Sequence, residues 1–471
     1  MHVVILGGGP AGLAAAYELS RHKVSCVVCE RETVVGGLAR TIVFEGHRFD
    51  MGPHRFFTKN TEVQRLWEDL LGEDFLEVNR LTRILHNQKL FFYPLKAFDV
   101  LTKLGPIEVV RCLFSYIYAL VRHQNADPNN FEEWTCKAFG RRLYDIFFKT
   151  YTEKVWGIPC SELSIQWAAQ RIKGLSLSEA IKNAIVEEKG TKVRSLINRF
   201  YYPRLGCGMP YEALKQRIQE AGNEVLLNHD VTRIQHDQQG ITGVEAMNGG
   251  EKRLLTGTHY LFSLPITHTV RSMNPSPPAE VLEAAKSLQF RVHISVNLIV
   301  KVDGIFPDQW IYIHSPEVKM ARVANYRNFS PEMAPHDGTT GLTVEYFCNF
   351  GDDLWKMKDN ELIELASVEL TRAGLRKKED VLNGFIIKKK DAYPRYTQGY
   401  NKHLSITRSY FNQFSNLQLI GRGGIFRYNN QDHAILTGLK AARNLLGGNQ
   451  DVWAVNLEQE YHEEIQDDKD S

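Results

Sequence analysis

The sequence predicts an α/β protein: a discontinuous Rossmann-like nucleotide-binding domain, a helical cap and a second β-sheet domain that meets substrate. Three observations lead there. The N-terminus reads strand, glycine loop, helix, strand; a second glycine-rich turn and helix close the fold near residue 420; and the chain between them alternates helical and β-like periods. A chain of 471 residues with 43% apolar content is too long for one core and has enough apolar side chains for two or three.

The first element is the most informative. VVILGGGPAGLAAAYELS gives a short apolar strand, the glycines Gly7, Gly9 and Gly12 in G-x-G-x-x-G spacing, and an Ala-rich helix; Glu30 then closes the next strand, VSCVVCE. Gly7 makes the tight turn, Gly9 lets backbone approach a pyrophosphate at the helix N-terminus, and Gly12 lets helix and strand pack closely. Glu30 is placed to accept from a ribose hydroxyl. The same domain should be built from about 1–60, 195–265 and 410–446. In its central part GCGMPYEALKQRIQEAGNEVLLNHDVTRI gives a helix ending at Gly222 and then a strand carrying Val231. Residues 61–190 are mostly helical by period, with Trp67, Leu70, Leu71 and Phe75 on an early face, and form the cap. Residues 266–405 alternate β-like runs with a helix from Asn360 to Ala373, a second sheet domain. LQLIGRGGIFRYNNQDHAILTGLKAARNLLG reads as strand, turn and a helix from about Asp432, and 447–471 is an acidic, solvated tail.

Composition narrows the function. Lys plus Arg (57) nearly balance Asp plus Glu (55), so bulk charge points to neither nucleic acid nor an anionic membrane, and a small-molecule substrate is expected. Seven scattered cysteines do not form a disulfide framework and suggest a reducing, cytoplasmic setting. Cys26 and Cys29, three apart on a strand, face opposite ways and read as core residues rather than a redox pair. Met1 and His2 lead directly into the first strand without a signal-peptide pattern. CLFSYIYALV, at 112–121, is too short for a transmembrane segment and reads as a buried helix, an interfacial helix being the alternative. No metal-ligand cluster is visible.

The segment after Glu30, RETVVGGLARTIVFEGHRFDMGPHRFF, carries the glycine pair Gly36 and Gly37, then Arg40, then Gly52, Pro53 and His54. It resembles the second flavin signature of the amine-oxidase-like FAD superfamily. That resemblance implies FAD, with Gly36, Gly37 and Arg40 along the cofactor, the Val231 backbone at the adenine, and Gly421, Asn430 and the closing helix N-terminus beside the flavin. A run in the cap narrows the likeness: FFKTYTEKVWG, Phe147 to Gly157, resembles the substrate-site segment of bacterial UDP-galactopyranose mutases. By that resemblance Phe147 and Phe148 would contact the base, Tyr151 and Trp156 the diphosphate and sugar. Arg171 would grip the diphosphate, Arg422 and Tyr428 would lie on the flavin side, and His54 close to the ring system. Two positions depart from the mutase pattern: Phe57 stands where a second histidine is expected and Asn430 where an acid is expected.

The resemblance implies a mutase-like isomerase of nucleotide sugars, interconverting pyranose and furanose forms through N5 of the reduced flavin. Segment 344–370 is closer to protoporphyrinogen oxidases and amine oxidases, which makes an FAD-dependent oxidoreductase of an amine, porphyrinogen or polyene the alternative. A non-catalytic binding protein like the GDP-dissociation inhibitors is a third class, opposed by the intact set Gly7, Gly9, Gly12 and Glu30.

Overall fold

The computed structural model describes residues 1–122, 128–164 and 199–456. A five-stranded parallel sheet is assembled from distant parts of the chain. Strand His2–Leu6 is central, flanked on one side by Ser25–Cys29 and Glu224–Leu226 and on the other by His259–Phe262 and Leu417–Leu419. Successive side chains of a strand point to opposite faces, and both faces are covered. Val3, Ile5, Cys26 and Val28 pack into the core beneath helices Pro10–Arg21, Met209–Glu220 and Gln431–Leu445, while Val4, Leu6, Val27 and Cys29 pack into the core on the other side. The two cysteines therefore lie in different cores, both buried thiols. Helices Pro10–Arg21 and Gln431–Leu445 touch backbone to backbone: a Cβ on Gly438 would stand 2.0 Å from the Ala11 carbonyl oxygen.

The second sheet has seven strands in the order Val381–Pro394, Phe290–Lys301, Thr339–Cys348, Arg322–Asn325, Trp310–Ile313, Thr82–His86, Lys89–Phe92. One face is apolar: Val292, Ile294, Val296, Leu342 and Val344 bury against Leu362, Ala366 and Leu370 of helix Asp359–Arg372. The alternate residues Arg291, His293, Ser295, Asn297, Thr343 and Glu345 are polar and yet equally buried. That polar face looks toward the first sheet and is the floor of the site described below.

Three expectations need correction. The stretch read as mostly helical contains a hairpin, Thr82–His86 and Lys89–Phe92, that joins the second sheet through a parallel pairing of Thr82–Leu85 with Trp310–Ile313. Its strands are too short to show a clear period, and its two-residue turn is Asn87–Gln88, both at positive φ (47° and 60°), which only Asn advertises in sequence. Second, CLFSYIYALV lies in helix Pro106–Arg122, which is not buried: its outward face carries Ile107, Val110, Leu113, Phe114, Ile117 and Val121, all exposed, while its inward face carries the small residues Cys112 and Ala119. Apolar periodicity marks a helix face without saying which way the face points. Among the described residues no single helix is long and apolar enough to cross a membrane, though helices 98–104 and 106–121, bent by 120°, meet the criterion together. The tail begins later than expected: Val452 is buried, and Arg427 holds the Val455 carbonyl at 2.7 Å.

Candidate active site

Two glycine loops from the first sheet form one wall. Gly7 turns at φ 102°, and a Cβ on Gly12 would stand 2.0 Å from the Gly7 carbonyl oxygen, so no other residue fits there. Gly36 N donates to Gly8 O at 2.8 Å, locking the second loop to the first. Gly37, at φ 56°, lies so near Gly9 that a Cβ would approach the Gly9 Cα to 3.1 Å. Glu30 is buried and orders this wall, accepting from Gly8 N at 2.7 Å and from Glu32 N at 3.0 Å. Arg40 donates to Gly37 O at 3.3 Å and pairs with Glu32 at 3.4 Å, so it braces the glycine loop and is not among the residues lining the cavity described next. Burial alone would raise the Glu32 pKa, but Lys389, Arg40 and Arg31 outweigh it and hold the group down to about 2.

A cavity of about 390 Å³ runs along this wall. At one end it is lined by Glu30, His229 and Val231; in its middle by Gly9, Pro10 and Gly37; at the other end by His54, Gly421, Arg422, Tyr428 and Asn430. The helix Pro10–Arg21 starts at the cavity with Gly9 as its N-cap and no side-chain cap, so its first backbone N–H groups stay available to an anion. Helix Gln431–Leu445 also begins at the cavity, its first residues lining it. The glycines Gly9 and Gly37 at its middle and the acid at one end fit a dinucleotide.

The far end opens onto the polar face of the second sheet. Tyr93, Trp310, Tyr312, Arg322 and Tyr393 line the cavity there, while Lys389 of the same face reaches Glu32 at 2.8 Å; none was singled out from sequence. The signal that could have found them is the alternation of polar residues along strands too apolar to be exposed, as in RVHISVN. Arg322 and Glu345 form a buried ion pair; burial would raise the carboxyl pKa, but Arg322 and then His293 at 3.7 Å hold it to about 2. Arg322 Nη2 also donates to Tyr393 OH at 3.3 Å.

Arg422 is different. Its guanidinium lies 4.4 Å from the Tyr393 ring centre and 4.3 Å from that of Tyr428. Its Nε and Nη2 are buried without a hydrogen-bond partner, and among the described residues no carboxylate forms an ion pair with it. His54 Nε2 donates to Leu38 O at 2.9 Å and Met51 O at 3.1 Å, which leaves Nδ1 as an acceptor. Burial, aided by the nearby Arg422 charge, lowers the imidazole pKa to about 4, so this histidine is neutral at physiological pH.

Phe147, Phe148, Tyr151 and Trp156 are not among the residues lining the cavity. Phe147 packs edge-on against Phe91 at 5.2 Å and Phe148 stacks on Phe139 at 4.9 Å. Tyr151 stacks on His314 at 5.1 Å and meets Tyr312 at 5.2 Å; Trp156 meets Tyr393 and Tyr428, each at 6.3 Å. The run thus backs the tyrosines that do line the cavity. Its charged residues anchor it: Lys154 Nζ donates to the carbonyls of Ile313, Ser315 and Met320 at 2.7–3.1 Å, and burial draws its pKa down to about 8. Arg171 lies outside the described residues.

The family described as flavin containing amine oxidoreductase matches residues 10–446, almost the entire chain. The chain belongs to that family. Its cofactor is therefore FAD, and the glycine wall with its long cavity suits that dinucleotide. Among curated proteins it is 27% identical over 169 residues to a probable UDP-galactopyranose mutase of Klebsiella pneumoniae, covering 34% of this chain and 42% of that one. It is 25% identical over 282 residues to the 15-cis-phytoene desaturase of Glycine max, covering 56% and 48%. In both cases the chain spans less than half of the relative's length. A crystal structure of reduced UDP-galactopyranose mutase superposes with a TM-score of 0.82 over 97% of this chain and 96% of that chain at 21% identity, a likeness of fold. Among the described residues no group of three or more His, Cys, Asp or Glu could hold a metal ion.

Proposed function

We propose that this flavoenzyme is a mutase-like isomerase acting on a nucleotide sugar. The observation that carries the reading is Arg422, a half-buried guanidinium beside two tyrosines, with two buried nitrogens that have no hydrogen-bond partner and no ion-pairing carboxylate among the described residues. Leaving those nitrogens and their charge unmatched is costly, so the site calls for an anion from outside the chain. A diphosphate-linked sugar brings one; a polyene does not. Bound FAD supplies electron-pair donation in its reduced form and hydride acceptance in its oxidised form. The chain's own groups position and neutralise: Tyr312, Tyr393 and Tyr428 offer hydroxyls to a sugar, His54 Nδ1 offers an acceptor, and Glu345 neutralises Arg322 so that Arg422 stays the uncompensated charge. Phe147, Phe148, Tyr151 and Trp156 hold the tyrosine wall and exclude water behind it. By the resemblance, Arg171 contributes a second guanidinium to the diphosphate.

One observation favours the second reading, an FAD-dependent oxidoreductase: Phe57, where the mutase pattern has a histidine, lines the cavity with an apolar ring. Titration of the reduced holoprotein with UDP-sugars, followed by flavin absorbance, separates the two. The proposal expects saturable perturbation by UDP-sugars, weakened tenfold or more by Arg422→Met and by Arg171→Ala. A spectrum that responds only to an amine or a porphyrinogen would remove the proposal.

A further inference from the structure

Helices Ala97–Leu104 and Pro106–Arg122 follow one another across Gly105 on the outside of the cap. On an ordinary surface helix the inward face is apolar and the outward face polar. The 17-residue helix Pro106–Arg122 is built the other way round. Its inward side has Cys112 and Ala119 buried, Ser115 accepting from Arg142 N at 3.0 Å, and backbone so close to Gly140 that a Cβ there would stand 2.8 Å from Tyr116 Cα. Its outward side presents Ile107 at 71%, Phe114 at 70% and Val121 at 73% exposure, and the preceding helix adds Phe98 at 77%. Scattered exposed apolar residues need no explanation, but an outward stripe at helical spacing that continues onto a neighbouring helix marks a contact surface.

Charge says what covers it. Segment 96–122 carries four basic residues, Lys96, Lys103, Arg111 and Arg122, against two acidic ones, Asp99 and Glu108. Both acids are already neutralised inside the protein, Asp99 by Lys103 and Glu108 by Arg142 with Arg111 at 3.5 Å. With Lys103 held by Asp99 and Glu108 by Arg142, the exposed Lys96 and Arg111 leave a positive charge beside the apolar stripe. A second copy of this chain would meet it with the same positive charge, whereas an anionic lipid surface complements both features. At 1.5 Å per residue the longer helix is roughly 25 Å long, shorter than the ~30 Å hydrocarbon core, and the 120° bend keeps the pair from forming one span. A helix of this kind lies in the interface plane.

We propose that this helix pair docks the cap onto the interface of an anionic lipid bilayer, inserting Phe98, Ile107, Phe114 and Val121 among the acyl chains while the basic residues meet the headgroups. The full-length FAD-loaded protein should co-float with vesicles of phosphatidylglycerol and phosphatidylcholine. Binding should be at least tenfold weaker to phosphatidylcholine alone and should fall as salt is raised. Phe114→Asp combined with Val121→Asp should reduce flotation tenfold or more at unchanged FAD content and melting temperature, since both side chains point away from the core. Arg111→Gln with Lys96→Gln should lose the preference for anionic vesicles and keep the residual binding to neutral ones. Absence of flotation with either vesicle type overturns the proposal, as does undiminished flotation of the double Asp variant. A dimer in sedimentation without lipid, abolished by the same variant and unaccompanied by vesicle binding, overturns it in favour of a second copy.

Discussion

His54 is where a single side chain is both tied down and titratable. Its ring is held neutral near the Arg422 charge, with a pKa of about 4 against an ordinary 6.5. An unfolded chain takes up this proton before the folded one does. The stabilising effect of the neutral ring is therefore complete above about pH 6.5 and lost as pH falls toward 4, a span of no more than about 3 kcal/mol. Melting curves should show wild type losing more stability between pH 7 and 4.5 than His54→Gln; parallel losses would contradict this. Glu30 gives the second prediction at this scale. It accepts from two backbone N–H groups of the cofactor wall, so Glu30→Ala should weaken FAD binding by about 1–3 kcal/mol, read by FAD titration of the stripped protein. An unchanged dissociation constant would contradict the role. The tight turn at Gly7 and the close packing at Gly12 were legible because backbone geometry is written into residue type, whereas the bonds of Glu30 to the N–H groups of Gly8 and Glu32 were not. The roles of Tyr312, Arg322 and Tyr393 were not, because they depend on which face of an antiparallel strand looks inward.

Among the elements, the short helix Thr150–Trp156 shows how a motif can be read without its place being read. FFKTYTEKVWG stands out by its aromatics, and its resemblance suggested direct substrate contact; in the structure its rings pack against Tyr312, Tyr393 and Tyr428, which line the cavity. Its end is fixed by one interaction. Gly157 closes the helix at φ 65°, and Arg291 fills the space a Cβ would need, 2.3 Å from its guanidinium carbon, while donating to Val155 O at 2.9 Å, Lys154 O at 3.1 Å and Asn349 Oδ1 at 2.6 Å. Gly157→Ala adds left-handed strain and displaces a buried, hydrogen-bonded cation, so it should cost roughly 2–4 kcal/mol by denaturant unfolding. A loss under about 0.5 kcal/mol would show that Arg291 can move aside freely. The helix Pro106–Arg122 teaches the complementary lesson: its period was legible, but its orientation depends on Gly140 and Arg142, which sequence does not place beside it.

For the whole molecule, the two sheets divide the work. The parallel sheet gathers strands from residues 2 to 419 into a cofactor wall, and the mixed seven-stranded sheet turns its polar face toward the same cavity. The first was readable from two glycine motifs at opposite ends of the chain; the second required knowing that hairpin 82–92 crosses into it. On the proposed reading cofactor and substrate meet at Arg422, and a bound anion there should stabilise the holoprotein. Saturating UDP at a hundred times its dissociation constant should raise stability by about 2.7 kcal/mol in wild type, and by far less in Arg422→Met, in thermal melts. Equal shifts would take Arg422 out of the anion site. The central claim, redox-neutral work on a nucleotide sugar, is tested most directly by turnover. Anaerobic, dithionite-reduced protein is mixed with UDP-galactopyranose, the products are separated chromatographically and the flavin redox state is followed by absorbance. The account predicts furanose product over many turnovers with the flavin still reduced and no reductant consumed. No conversion across a panel of nucleotide sugars, together with oxygen-dependent turnover of an amine or a porphyrinogen, would contradict it.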